Sequence, residues 1–476
     1  MDYLKRLDDS KDELIRRLSE LAAIRSVVEA SEGDMPFGRG VQEAFEYFLK
    51  LGAEEGFEVC NIDNYGGHLD FGGWIYDEEG NLTGRNEETL GILVHLDVVP
   101  EGDGWTYPPY KPCVVDGKLY GRGMEDDKGP AMAVFFALKA LKDAGFRPKK
   151  KIRLILGLDE EVDWVGMKHY LSKVKAPDFS FTPDADFPVI HGEKGIMVFE
   201  LARKFGAGRE KGLVLRSISG GTAPNSVADR AKALLNGPDY DDVKAKLAAF
   251  RERTGYTVSC KGRGKSLEIT AEGAAAHGAT PWEGLNAISV LMAFLGELNI
   301  VNEDVRDFIR FYNDKIGFEL DGASIGCKTE DECSGGLVFN VGMIQMDEEA
   351  VRVTVNIRYP ISLTCEDVYE AMMPELNRSD IGVVKQGQKD PIFTPEDSPL
   401  VQTLLRVYRK HTGDEESRPQ VIGGGTYARA VPNAVAFGAL FPGTKETMHQ
   451  RDEHVEIDKL MAAAKIYAEA IYELTK

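Results

Sequence analysis

The chain has 476 residues, an apolar fraction of 43% and a formal net charge of -21 from 57 basic and 78 acidic side chains. That length allows about three domains and a sizeable core. The acid excess argues against nucleic acid or an anionic membrane surface as partner, because both require a basic face. The 6 cysteines are scattered without a C-x-x-C pair, which excludes a disulfide scaffold or zinc ribbon and suits free thiols in a reducing compartment.

In chain order, the charged N-terminus predicts one helix to about Leu21, without the apolar stretch of a signal peptide. No run approaches the ~20 apolar residues of a membrane helix, so a cytoplasmic location is expected. A second helix is predicted from Gly40, leading into a strand near Val59. Next, "ETLGILVHLDVV" reads as a buried parallel strand. "GPAMAVFFALKALKDAGF" reads as a helix with Pro130 early and Gly145 at its end, and "KKKIRLILGLDEEV" as another buried strand. Strand and helix alternate over the first ~190 residues, the grammar of an α/β layered domain.

The texture then changes. "KSLEITAEGAAAHG", "SGGLVFNVGMIQMD" and "EAVRVTVNIRYP" read as antiparallel strands, with Val351, Val353, Val355 and Ile357 alternating with polar residues. Helical stretches follow Asp241 and Leu285. After about residue 385 the α/β pattern returns, with a helix from Ser398, a strand at "NAVAFGALFPG" and a terminal helix. The expected fold is an α/β domain, with a mixed and mostly parallel sheet, interrupted by an α+β insertion. The segments are 1–193, 194–385 and 386–476.

Several acid- or histidine-bearing loops follow buried segments. "ILVHLDVVP" puts His95 and Asp97 two apart, pointing the same way, so one can ligate a metal while the other braces it. "LGLDEEVDW" delivers Glu160 and Glu161 at the end of a strand, where open α/β sheets bind ligands. Taken singly, H-x-D occurs often by chance and marks no site, and the Glu160–Glu161 motif suits a solvated acidic turn equally well. "GRGMEDDKGP" lines up Glu125, Asp126 and Asp127; Asp184 and Asp186 follow another apolar entry; His449 and His454 lie in "KETMHQRDEHVEI". As a set, two imidazoles and several carboxylates suit a pair of Zn²⁺ or Mn²⁺ ions with mixed N/O ligation. His68, His169 and His411 read as satisfied surface or core residues.

The order and wording of these motifs, over nearly the whole chain, resemble the two-metal family of aminoacylases, carboxypeptidase-G-type enzymes, desuccinylases and carnosinase-like dipeptidases. The likeness is nearest to its long-lid bacterial dipeptidases. The resemblance implies that Asp126, the first Asp of G-R-G-x-x-D-x-K-G, bridges two divalent ions, Zn²⁺ favoured and Mn²⁺ second. His95 and Asp184 would complete one site, Glu161 and His449 the other. Glu160 would be the general base, Asp97 would orient His95, and Asp126–Asp127 would be a cis peptide. Asp127 is then set by the turn and Glu125 is incidental. In the insertion, "AAAHGATPWEGLNA" resembles the family's lid motif, so His277 would stabilise the oxyanion, with Asn225 beside it. Arg358 in "NIRYP" suits a clamp on a substrate carboxylate, against the alternative of a salt-bridged edge-strand arginine. The glycine stretch from Gly423 can present N–H groups to that carboxylate or form a plain turn. The expected activity is metal-dependent hydrolysis of dipeptides with a free C-terminal carboxylate, by a monomer, with a homodimer left open. An N-acyl-amino-acid deacylase is the alternative, and a non-catalytic peptide-binding relative a distant third.

Overall fold

All seven residues of strand Thr89–His95 are buried, as its continuous apolar run requires of a strand covered on both faces. Lys151–Gly157 and Phe179–Thr182 flank it in parallel, and Ala434–Ala436 continues in parallel beyond Phe179–Thr182. On the other side Gly67–Gly72 and then Glu58–Asn61 pair antiparallel. The sheet is therefore parallel at its centre and antiparallel towards its edge. Helix Lys128–Asp143 is buried on nearly every side because it packs between this sheet and three other helices, Tyr3–Asp9, Lys11–Ala22 and Ile457–Thr475. Such a position removes the polar stripe that a surface helix would show.

The single N-terminal helix expected from the sequence is in fact two, Tyr3–Asp9 and Lys11–Ala22. Ser10 separates them, its hydroxyl donating to the Leu7 carbonyl at 2.9 Å. A local side-chain bond of this kind competes with the helix ladder.

This computed structural model describes residues 2–206, 211–237 and 240–476. They form two units, each with its own core. The first comprises Met1–His191, Thr394–Gln420 and Gly425–Lys476, and the second Gly192–Phe393 and Val421–Gly424.

The second unit is built on an 8-stranded antiparallel sheet. Strands Gly195–Lys204, Val338–Met346 and Ala350–Tyr359 lie side by side in it. Val351, Val353, Val355 and Ile357 fall on one face and are fully buried. The opposite face of the same strand is also covered from Thr354 onwards, through Asn356 and Arg358. Helices Asp241–Thr254, Ala287–Leu295, Glu303–Lys315 and Cys365–Arg378 add apolar side chains to the core. Cys365–Arg378 starts from a capping box between Thr364 and Asp367, which satisfies two otherwise orphaned N–H groups. Together, an α/β unit and an α+β unit constitute the fold.

Candidate metal centre

Three parallel strands end side by side in the first unit. His95 is paired with Gly157 in register, and Leu96 N–H donates to the Gly157 carbonyl at 3.0 Å. Thr182 at the end of the third strand donates its hydroxyl to the Leu93 carbonyl at 2.8 Å. The chain beyond each strand end thus starts at one level, and His95, Glu160–Glu161 and Asp184 emerge together. Open α/β sheets place ligands at this carboxyl edge. Asp126 comes from the turn before helix Lys128–Asp143. That turn is so tight that a Cβ at Gly129 would lie 2.0 Å from the Met124 carbonyl oxygen. His449 comes from the loop ahead of strand His454–Glu456. The Asp126–Asp127 peptide is cis.

These residues meet. His95 Nε2 lies 2.8 Å from Asp126 Oδ1 and 3.8 Å from Asp184 Oδ2. His449 Nε2 lies 3.0 Å from Asp126 Oδ2 and 2.9 Å from Glu161 Oε1. The two oxygens of Asp126 are therefore each directed at a different imidazole. Potential ligand atoms of His95, Glu160 and Asp184 lie within 4.8 Å of one another, as do those of His95, Asp126 and Glu161. Glu160 thus stands inside the cluster alongside the residues expected to ligate.

The electrostatics are one-sided. Burial, then the Asp126 charge, pushes the Asp184 carboxyl well above its ordinary range. Burial and neighbouring carboxylates likewise raise Glu160 and Glu161, although His95 and His449 act against this. Burial disfavours a charged imidazole, but Asp126 and Asp97 override it at His95 and raise its pKa. Asp126 and Glu161 do the same at His449, taking it to about 10. The cluster therefore contains more buried carboxyl groups than two imidazoles can hold ionised, the situation that a divalent cation relieves.

The donor chemistry agrees with such an ion. His95 Nδ1 is 3.0 Å from the Asp97 carbonyl oxygen. A carbonyl can only accept, so Nδ1 carries the hydrogen and Nε2 is the nitrogen available to a cation. Imidazole and carboxylate donors suit zinc or manganese, and no cysteine belongs to the groupings found among the described residues. The residues present fit a divalent-metal centre.

Around the cluster, Asp97 has a second set of partners and Glu125 departs from expectation. Asp97, expected to orient His95, has its carboxylate 3.4 Å from Nδ1 and also bonds to the acid loop. Oδ1 accepts from Glu160 N–H and Oδ2 from Glu161 N–H, each at 3.1 Å. Hydrogen bonds to a charged acceptor contribute about 1.5–3 kcal/mol each, so this buried aspartate fixes the main chain of both glutamates. Trp164 Nε1 anchors the same loop by donating to the Glu160 carbonyl at 2.6 Å. Glu125, read as incidental, accepts from Thr447 N–H at 3.0 Å, from the Thr447 hydroxyl at 2.6 Å and from Met448 N–H at 3.3 Å. Asp127 accepts from His95 N–H at 3.0 Å, so it ties the turn to the strand end.

Sequence reasoning also passed over Glu453, Arg122 and Tyr427. Glu453 is fully buried and accepts from Arg122 at 2.5 Å. Tyr427 packs edge-on to His95 with ring centroids 6.2 Å apart. It occupies the space a side chain at Gly157 would fill, 2.2 Å from the nearest ring carbon. Only the glycine at the strand end signalled this neighbour.

In the second unit, Asn225, His277, Arg358 and Gly423 are drawn into one neighbourhood. Gly278 N–H donates to the Asn225 carbonyl at 2.7 Å, and Ser226 bridges His277 through the backbone. Ala279 N–H donates to His277 Nδ1 at 3.3 Å. Arg358 is buried, donating from Nε to Asn356 Oδ1 at 3.0 Å and from NH1 to the Gly423 carbonyl at 2.8 Å. A Cβ on Gly423 would sit 3.0 Å from that of Ala279. The His277 side chain is exposed.

An α/β unit presenting a carboxylate–imidazole cluster at its sheet edge defines the class of metal-dependent hydrolases. The sequence profile of Peptidase family M20/M25/M40 matches residues 91–473, and the chain belongs to that family. It is 36% identical to the YtjP protein of Bacillus subtilis (strain 168), over 98% of each chain. It is 34% identical to the Beta-Ala-Xaa dipeptidase of Lactobacillus delbrueckii subsp. lactis, over 100% of this chain and 99% of that one. Among solved structures it shares the fold of human carnosine dipeptidase 1, with a TM-score of 0.58 at 16% identity, covering 99% of this chain and 98% of that one.

Proposed function

We propose that the protein is a metal-dependent dipeptidase acting on dipeptides with a free C-terminal carboxylate. The observation that carries this is the placement of the two Asp126 oxygens, 2.8 Å from His95 Nε2 and 3.0 Å from His449 Nε2. It suits a bridging carboxylate with Asp184 on one side and Glu161 on the other. The relatives described as dipeptidases align over essentially the whole chain, which supports the same substrate class.

In this reading His95, Asp126 and Asp184 hold one divalent ion and Asp126, Glu161 and His449 a second, zinc before manganese. When bound, the ions would polarise the scissile carbonyl and bring the pKa of water towards about 7. Glu160 is the general base: its main chain is fixed by Asp97 and Trp164, which holds its carboxylate in the cluster to take a proton from water and return it to the leaving amine. We assign His277, with Asn225, to the developing oxyanion, and Arg358 with the Gly423 turn to the substrate carboxylate. A monomeric, cytoplasmic enzyme completes the proposal; among the described residues no helix is long and apolar enough to cross a membrane.

The test is amino-acid release from an unblocked dipeptide and from its N-acetyl form, before and after chelation and with Zn²⁺ or Mn²⁺ restored. Metal-dependent cleavage of only the free dipeptide is expected. Cleavage of only the blocked form would move the assignment to an N-acyl-amino-acid deacylase. Glu160→Ala should lower kcat by about 10²–10⁴-fold while metal content, measured by elemental analysis, stays unchanged. Normal turnover in that variant would remove Glu160 as the base.

A further inference from the structure

Two acids, Glu125 and Glu453, hydrogen-bond main chain at the edge of the metal-binding cluster. Glu453 stands four residues after His449, and its Oε1 accepts from Glu125 N–H at 3.0 Å and Asp126 N–H at 3.3 Å. Its own carbonyl accepts from Gly121 N–H at 3.0 Å. Glu125 stands one residue before Asp126, and its carboxylate takes the Thr447 N–H, the Thr447 hydroxyl and the Met448 N–H. Each loop therefore sends a carboxylate into the backbone of the other. The Asp126 loop is gripped by Glu453, and the His449 loop by Glu125.

The two imidazoles are supported unequally. His95 ends a fully buried strand, held by parallel neighbours on both sides and by Asp127 at its N–H. The His449 side chain is 49% exposed, and its backbone lies in the left-handed region at φ 60. No strand register holds this residue; the two N–H groups bound by Glu125 belong to the residues immediately before it.

Resting on the two-ion reading above, we propose that Glu125 is a positioning residue for His449. The clasp it forms with Glu453 sets the affinity of the Glu161–His449 side of the cluster for its ion. The His95–Asp184 side depends on the sheet and is independent of Glu125. A carboxylate is suited to this role because it accepts all three hydrogen bonds and carries its charge beside the cation sites.

The experiment titrates the metal-stripped full-length chain with Zn²⁺ in competition with a chromophoric chelator, for the wild type, Glu125→Ala and Glu125→Gln. Circular dichroism and Tm are recorded alongside. The wild type should bind two ions. Glu125→Ala should keep the affinity of one ion and weaken the other by about 10–100-fold. Glu125→Gln retains a neutral acceptor of nearly the same shape and should fall between them, and it decides the matter if the alanine variant does not fold. Two wild-type affinities in a folded variant would overturn the clasp, and so would an equal loss at both sites. A wild-type chain that takes up no pair of ions would instead overturn the two-ion reading, and the clasp's assignment with it.

Discussion

Two buried histidine–carboxylate clusters of the first unit, at His68 and at His95, differ in charge balance. His68 lies on strand Gly67–Gly72, with its Nδ1 2.8 Å from the Tyr170 hydroxyl and its Nε2 3.7 Å from Asp70. Arg153 reaches Asp70 through two bonds of 2.8 and 2.7 Å. The carboxylate there is already matched by a guanidinium. Burial and the Arg153 charge lower the His68 pKa from 6.5 to about 4, so the imidazole stays neutral near pH 7. At His95 the acids outnumber the cations, and carboxylates raise the imidazole's pKa in spite of burial. Residue types alone do not separate a satisfied core cluster from a cation site; the count of compensating charges does.

The largest effect expected from breaking this contrast is at Asp126. Asp126→Ala removes the acceptor shared by His95 and His449. Both ions and essentially all turnover should be lost, as read by metal analysis and dipeptide hydrolysis. Zinc remaining in that variant and traced to His68 would refute the distinction drawn from charge balance. Asp97→Asn is expected next. It keeps the shape but removes a charged acceptor from the Glu160 and Glu161 amides, and should weaken metal binding by about 10–100-fold with little change in far-ultraviolet circular dichroism.

The smallest effect belongs to His68 and concerns stability. Its folded pKa of about 4 lies below the unfolded 6.5, so the unfolded chain binds more protons between those values. The stabilisation is complete above about pH 6.5 and is lost as pH falls towards 4, up to about 3 kcal/mol. Denaturation of the metal-stripped chain across that window should show the slope, and His68→Gln should flatten it. An unchanged slope in the variant would assign the acid sensitivity to other groups.

Much of the first unit was legible because its signals are local. Continuous apolar runs ending in His or acidic residues identified strands Thr89–His95 and Lys151–Gly157, and Pro130 with Gly145 framed the helix between them. The second unit was less legible. Helix Glu303–Lys315 and strand Val214–Gly220 went unread, the strand because its burial alternates weakly and a register shift interrupts its pairing. For the candidate site, the sequence nominated His95, Asp126, Glu160, Glu161, Asp184 and His449 from five separate loops, the two glutamates sharing one.

By itself the sequence determined the strand ends and which chemically capable residues follow them, since hydrophobic period and backbone preference act over a few neighbours. Only the tertiary structure decided what those residues meet. Glu125 grips a loop 322 residues away, and Tyr427 fills the space opened by Gly157. Asp97 holds amide groups 63 and 64 residues further on. Hydrogen bonds and charge compensation depend on distance in space, and nothing in the local spacing of the chain encodes that distance.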